Sequence, residues 1–122
     1  MHELSICQAL LDQVERIAEE HGASRVERIL LKVGPLSGVE PALLQHAYPL
    51  AAAGTIAEDA TLVIEPAPVR VRCNDCGAES DAAPNRLLCG VCGGWRTRLI
   101  SGDEMLLANL ELTIPDGRPT AT

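Results

Sequence analysis

With 122 residues, the chain has room for one domain, or for one domain carrying a small metal-stapled lobe. Hydrophobic residues make up 47%, yet there is no Phe, one Trp and one Tyr, so a core must be built from Leu, Ile, Val and Ala. Ten basic against 17 acidic residues give a net charge of -7, which disfavours nucleic acid as a partner, and no apolar run reaches the length of about 18 residues needed for membrane insertion.

The opening MHELSICQALL has no basic stretch ahead of an apolar one, so a soluble, cytoplasmic protein without an export signal is expected. Leu4, Cys7, Leu11, Val14 and Ala18 recur at spacings of three and four, with Ile17 beside them, which predicts an amphipathic helix. It should stop near His21-Gly22, where Gly can take a left-handed conformation and His meets the negative end of the helix dipole. RVERILLKV then predicts a strand with Ile29, Leu31 and Val33 facing a core and Arg28 and Lys32 facing water, closed by Gly34-Pro35. Pro41 suits the first turn of a second helix with Leu43, Leu44, Ala47, Leu50 and Ala51 as its apolar side, interrupted by Pro49.

ATLVIEPAPVRVR reads as extended chain broken by Pro66 and Pro68. From Val71 to Arg98 the composition changes to four Cys, four Gly and few large aliphatics, a piece that cannot bury a core without a metal. Leu106, Ala108, Leu110, Leu112 and Ile114 alternate as a final strand returning to the first sheet, and the polar tail from 115 to 122 is expected to be disordered. These elements predict an α+β fold: two helices on a small three-stranded sheet over 1–69 and 99–114, and an inserted four-cysteine, zinc-ribbon-like lobe over 70–98 before the last strand.

Cys73-Asn-Asp-Cys76-Gly and Cys89-Gly-Val-Cys92-Gly are two knuckles of one design, separated by 12 residues. Four thiolates on two tight turns can close a tetrahedron around Zn(II), leaving no open position, so the metal would be structural. Iron in a rubredoxin-like site uses similar knuckles, and a pair of disulfides or four unrelated buried thiols are the remaining readings, disfavoured where thiols are kept reduced. Cys7 shares the stripe of Leu4 and Leu11 and reads as a small buried hydrophobe, while His21 reads as a helix-end residue and His46 as a helix-surface or half-buried one. No paired acid and base, and no GxxxxGK[ST] loop, argues for catalysis or nucleotide binding, so the chain is not expected to be an enzyme.

The second motif depends on position. The Met1 amine, the His2 amide nitrogen and the His2 ring can chelate one metal in fused rings, and Glu3 can add a fourth donor from its backbone nitrogen or its carboxylate. Such nitrogen-rich, planar surroundings suit Ni(II) or Cu(II). On residues alone, an exposed and functionless His2 is the competing reading.

The opening MHELSI, the Gly54-Thr55 turn followed by Glu58 and Ala60, Ile64-Glu65-Pro66 before the first knuckle, both knuckles, and Gly102-Asp103-Glu104-Met105 together resemble the HypA/HybF family of nickel chaperones in [NiFe]-hydrogenase maturation. The resemblance runs from residue 1 to about residue 114. It implies Ni(II) as transferred cargo at His2 and Glu3, and Zn(II) on Cys73, Cys76, Cys89 and Cys92. It implies as partners a HypB-type GTPase and the hydrogenase large-subunit precursor. The second helix departs from the family in carrying Leu44, His46 and Tyr48, with Pro49 following, where relatives usually carry Phe. The long final strand permits either a monomer or a strand-exchanged dimer. Two other classes compete: a zinc-ribbon adaptor, disfavoured by charge and by few aromatics for stacking, and a rubredoxin-like electron carrier, which would not need the large aliphatic lobe.

Overall fold

A computed structural model describes residues 2–115 and 119–121, with side chains described for 3–115. Helix α1 spans His2–Glu20, β1 Arg25–Val33, α2 Pro41–Ala52, β2 Thr61–Pro66, β3 Arg70–Cys73, β4 Glu79–Asp81, β5 Thr97–Ser101, β6 Met105–Thr113 and β7 Pro119–Ala121. The strands form a four-stranded sheet in the order β2-β1-β6-β7 and a three-stranded sheet in the order β4-β3-β5. By packing, the chain divides into two units: one of Met1–Leu31, Glu40–Ile64 and Leu107–Thr122, the other of Lys32–Val39 and Glu65–Leu106.

In the first unit, Cys7, Leu10, Leu11, Val14 and Ala18 bury one face of α1. The helix ends as its glycine predicts. Gly22 has φ 64, its N–H bonds to Glu19 O and the N–H of Ala23 reaches back to Ala18 O, a Schellman closure that satisfies the last carbonyls. The His21 Nδ1 donates to Ile17 O at 2.9 Å, which fixes that tautomer.

Helix α2 packs on α1, and the Cys7 thiol donates to Leu44 O across the pair. Burial pushes the Cys7 thiol up, with the Glu3 carboxylate adding to the shift. Leu44, Ala47, Tyr48 and Ala52 are the buried side of α2. Leu43 and Leu50, expected on the apolar side, are 49% and 69% exposed. The reason is that Tyr48 turns inward to donate from its hydroxyl to Ala57 O at 2.8 Å, and this rotates the two leucines out. Burial, then the neighbouring Cys7, pushes the Tyr48 hydroxyl up to about 12. The helix also carries Pro49 inside its span and continues to Ala52. On the sheet, Val26, Ile29, Leu31, Leu62, Leu110 and Leu112 complete a largely aliphatic core.

The sheet holds one strand more than expected. Residues 119–121, placed by the sequence in a disordered tail, pair antiparallel with β6 through Leu112↔Thr120 and its neighbours. The open edge of β6 offers backbone donors and acceptors that even a polar segment can satisfy, so pairing here needs no apolar pattern.

The second unit is wider than the 70–98 segment because the turn after β1 belongs to it. Gly34 N–H bonds to Glu104 O at 2.7 Å, Leu36 N–H to Gly102 O at 2.8 Å, and Ala67 N–H to Val33 O at 3.1 Å. Gly102, at φ 118, is held by the Glu104 side chain, which accepts its N–H. A Cβ on Gly34 would lie 2.1 Å from Gly102 O, so the two turns touch backbone to backbone.

Tyr48→Phe should lower stability by about 1 kcal/mol, read from urea midpoints, because the hydroxyl bond to Ala57 O is lost while that carbonyl keeps only the Ala60 N–H. Gly34→Ala should cost more, about 3 kcal/mol in the same measurement, since its Cβ meets rigid backbone and not the end of a side chain.

Candidate metal centres

The four knuckle cysteines come together. Their sulfur atoms all lie within 4.8 Å of one another, with Cys73–Cys92 and Cys76–Cys89 at 3.6 Å. A tetrahedron with bonds of about 2.3 Å has sulfur–sulfur edges of roughly 3.8 Å, whereas a disulfide would need about 2.05 Å. The spacing therefore fits a shared ion and not a disulfide pair.

Each knuckle is the same hydrogen-bonded loop. Cys73 N–H bonds to Ala78 O and Gly77 N–H to Cys73 O; sixteen residues on, Cys89 N–H bonds to Gly94 O and Gly93 N–H to Cys89 O. Gly77 and Gly93, at φ 75 and 74, occupy the left-handed position that each loop requires. The first knuckle is also the connection from β3 to β4. The second is held against it by Asn74 N–H to Arg96 O at 2.7 Å and by Gly90 N–H to the Ser80 hydroxyl at 2.9 Å.

The loops also set the thiol chemistry. The Cys73 sulfur accepts N–H bonds from Cys76 and Asp75, and the Cys89 sulfur from Cys92 and Val91, at 3.3–3.4 Å. These bonds lower the Cys73 thiol and pull the Cys89 thiol down to about 6. At Cys92 the Gly94 N–H pulls downward, but the sulfurs of Cys73 and Cys89 outweigh it and raise the thiol to about 12. Cys76 is raised in the same way, Cys89 overcoming the Ala78 N–H. The first cysteine of each knuckle is thus the readier to ionise, and a divalent cation would displace the protons that remain on the others.

Cys73 and Cys89 are buried and Cys76 and Cys92 exposed. Four soft thiolates in this closed arrangement fit zinc held for structure, and no fifth side chain among the described residues joins the cluster. Gly94 is a part of the site that the knuckle spacing did not single out: a Cβ there would stand 3.2 Å from the Cys92 sulfur. The doubled glycine of CGGW was its signal. Cys7 lies apart in the α1 core.

The expected nickel residues open α1. His2 and Glu3 are its first two positions, and Glu3 is half-buried. Met1 and the His2 side chain lie outside the described residues.

A family model described as hydrogenase/urease nickel incorporation, metallochaperone, hypA matches residues 1–112. The chain is similar to the hydrogenase maturation factor HypA of Nitrosospira multiformis, 54% identical over 112 residues, covering 92% of this chain and 97% of that one. It is also similar to that of Aquifex aeolicus, 43% identical over 114 residues, covering 93% and 99%. Among solved structures, the solution structure of the Ni metallochaperone HypA from Helicobacter pylori superposes with a TM-score of 0.69 at 25% identity, covering 92% of this chain and 97% of that one. The chain belongs to the HypA family of nickel-incorporation metallochaperones.

Proposed function

We propose that this chain binds Ni(II) at its N-terminus and hands it on for assembly of [NiFe]-hydrogenase, with the large-subunit precursor as recipient and a HypB-type GTPase as partner. The observation that carries the reading is the family match from residue 1 to 112, which spans both the Met-His-Glu opening and the four-cysteine segment. The ligands would be the Met1 amine, the His2 amide and ring nitrogens, and Glu3. Nickel is cargo in this reading and Zn(II), on Cys73, Cys76, Cys89 and Cys92, is resident. The chain then acts in the cytoplasm as an accessory factor and not as a catalyst. Cytosolic reduction keeps its thiols available for metal.

Helix α1 begins at His2, which bears on the chemistry. The first N–H groups of a helix have no partner in the helix, so the amide nitrogens of residues 2 and 3 can give up their protons to a metal without breaking a helical bond. The positive end of the helix dipole opposes a cation there. Deprotonated amides and the Glu3 carboxylate would offset that field, and the result is an exposed site whose ligands a recipient can replace one by one. The four-thiolate centre has the opposite character, since its ligands are fixed by backbone loops.

Native mass spectrometry of untagged, Ni(II)-loaded protein should find one zinc and one nickel, and His2→Ala should keep the zinc and lose the nickel. Retention of nickel by His2→Ala would overturn the site. Acetylation of the Met1 amine should weaken nickel binding as His2→Ala does, because it removes the free amine without supplying another. Removing zinc with a strong chelator should raise amide exchange across β3, β4 and β5 while the helical circular dichroism of α1 and α2 stays within about 10% of its starting value.

A further inference from the structure

Charge is unevenly placed along this chain. Between residues 70 and 98 there are five arginines and three acids, a balance of +2 that four thiolates on one Zn(II) bring to zero, while the remainder carries -9. In the three-stranded sheet, Arg72 on β3 stands directly opposite Arg98 on β5. Like charges in that register repel. On the other flank of β3, Arg70 meets Asp81 at 2.7 Å and Arg72 meets Glu79 at 3.5 Å. Among the described residues Arg98 has no acidic partner.

Side chains alternate along β3, so the buried Val71 and Cys73 point away from the face that carries the exposed Arg72, and the Cys73 thiolate does not neutralise that face. Among the described residues β5 is an edge strand, paired in its sheet with β3 alone. It is exposed at Arg98 and at Ile100, which the register shift between Arg70 and Val71 leaves without a partner. Just ahead of it, Trp95 is 74% exposed with the Arg96 guanidinium 5.4 Å above its ring. An unpaired edge with exposed cationic and apolar positions is complementary to an extended peptide of alternating carboxylates and aliphatics.

We propose that β5 is a docking edge for an acidic, aliphatic segment of a partner protein, added as a further strand with a carboxylate on Arg98 and apolar side chains on Ile100 and Trp95. This surface lies in the four-cysteine unit and does not depend on nickel at the N-terminus.

The test uses the full zinc-loaded chain, labelled with nitrogen-15, and a peptide of alternating Glu and Val. The peptide should move the amide signals of Arg98 to Ser101 and the Trp95 indole N–H, with binding that weakens as salt is raised. Arg98→Gln should weaken it about tenfold. The Co(II)-thiolate absorption of the substituted protein should be unchanged, which shows that the knuckles are intact. Ile100→Asp serves as the second variant should Arg98→Gln disturb that absorption, and it too should weaken binding. No movement of these signals would overturn the proposal, as would equal binding of a Gln-Val peptide. Movement of the same signals on concentrating the protein alone would reassign the edge to a second copy, and tighter binding of oligouridine would reassign it to RNA; either result overturns it.

Discussion

Four sulfurs within 4.8 Å of one another impose the main constraint on this molecule. The second unit contributes few fully buried large side chains, Val71 foremost, so cohesion there has to come from the cluster and the loops that present it. The loops are built so that the first cysteine of each knuckle collects two backbone N–H bonds, which favour its thiolate, and a divalent cation would neutralise the four ligands together. The glycines at 77, 93 and 94 follow from these loops, two by backbone conformation and one by closeness to sulfur.

The first unit follows different rules. Among its described residues the core is aliphatic apart from Cys7 and Tyr48, and its cohesion rests on side chains from two helices and three strands. With no Phe to fill volume, the single Tyr takes a core position, and its hydroxyl must then find Ala57 O. The polar bond and the leucines it turns out to solvent are two sides of one packing choice. The proposed nickel ligands sit where this helix begins, on backbone groups that helix formation leaves free.

The contrast between the proposed nickel site and the four-cysteine cluster is one of exchange. Ligands drawn from a chain start would be displaced one at a time, while ligands locked by paired loops would all be given up together. A protein that carries a metal as cargo and another as a staple gains from having them in such different surroundings, and the family to which the chain belongs is described by nickel incorporation.

Local rules wrote much of this into the sequence. The stripe from Cys7 to Ala18, Gly22 at a helix end, the β1 segment and the two knuckles each depend on neighbours a few residues apart, so spacing alone determined them. The same holds for the α+β class. Tertiary structure decided the rest. Gly34 shows its purpose only when Gly102, distant in sequence, arrives against it, and α2 could be given its inward face only once Tyr48 had found Ala57. Residues 119–121 became β7 because a strand edge was waiting, a fact about β6 that no pattern in PDGRPTAT records. Spacing encodes which side chains share a face; which surface that face meets is settled by parts of the chain far away.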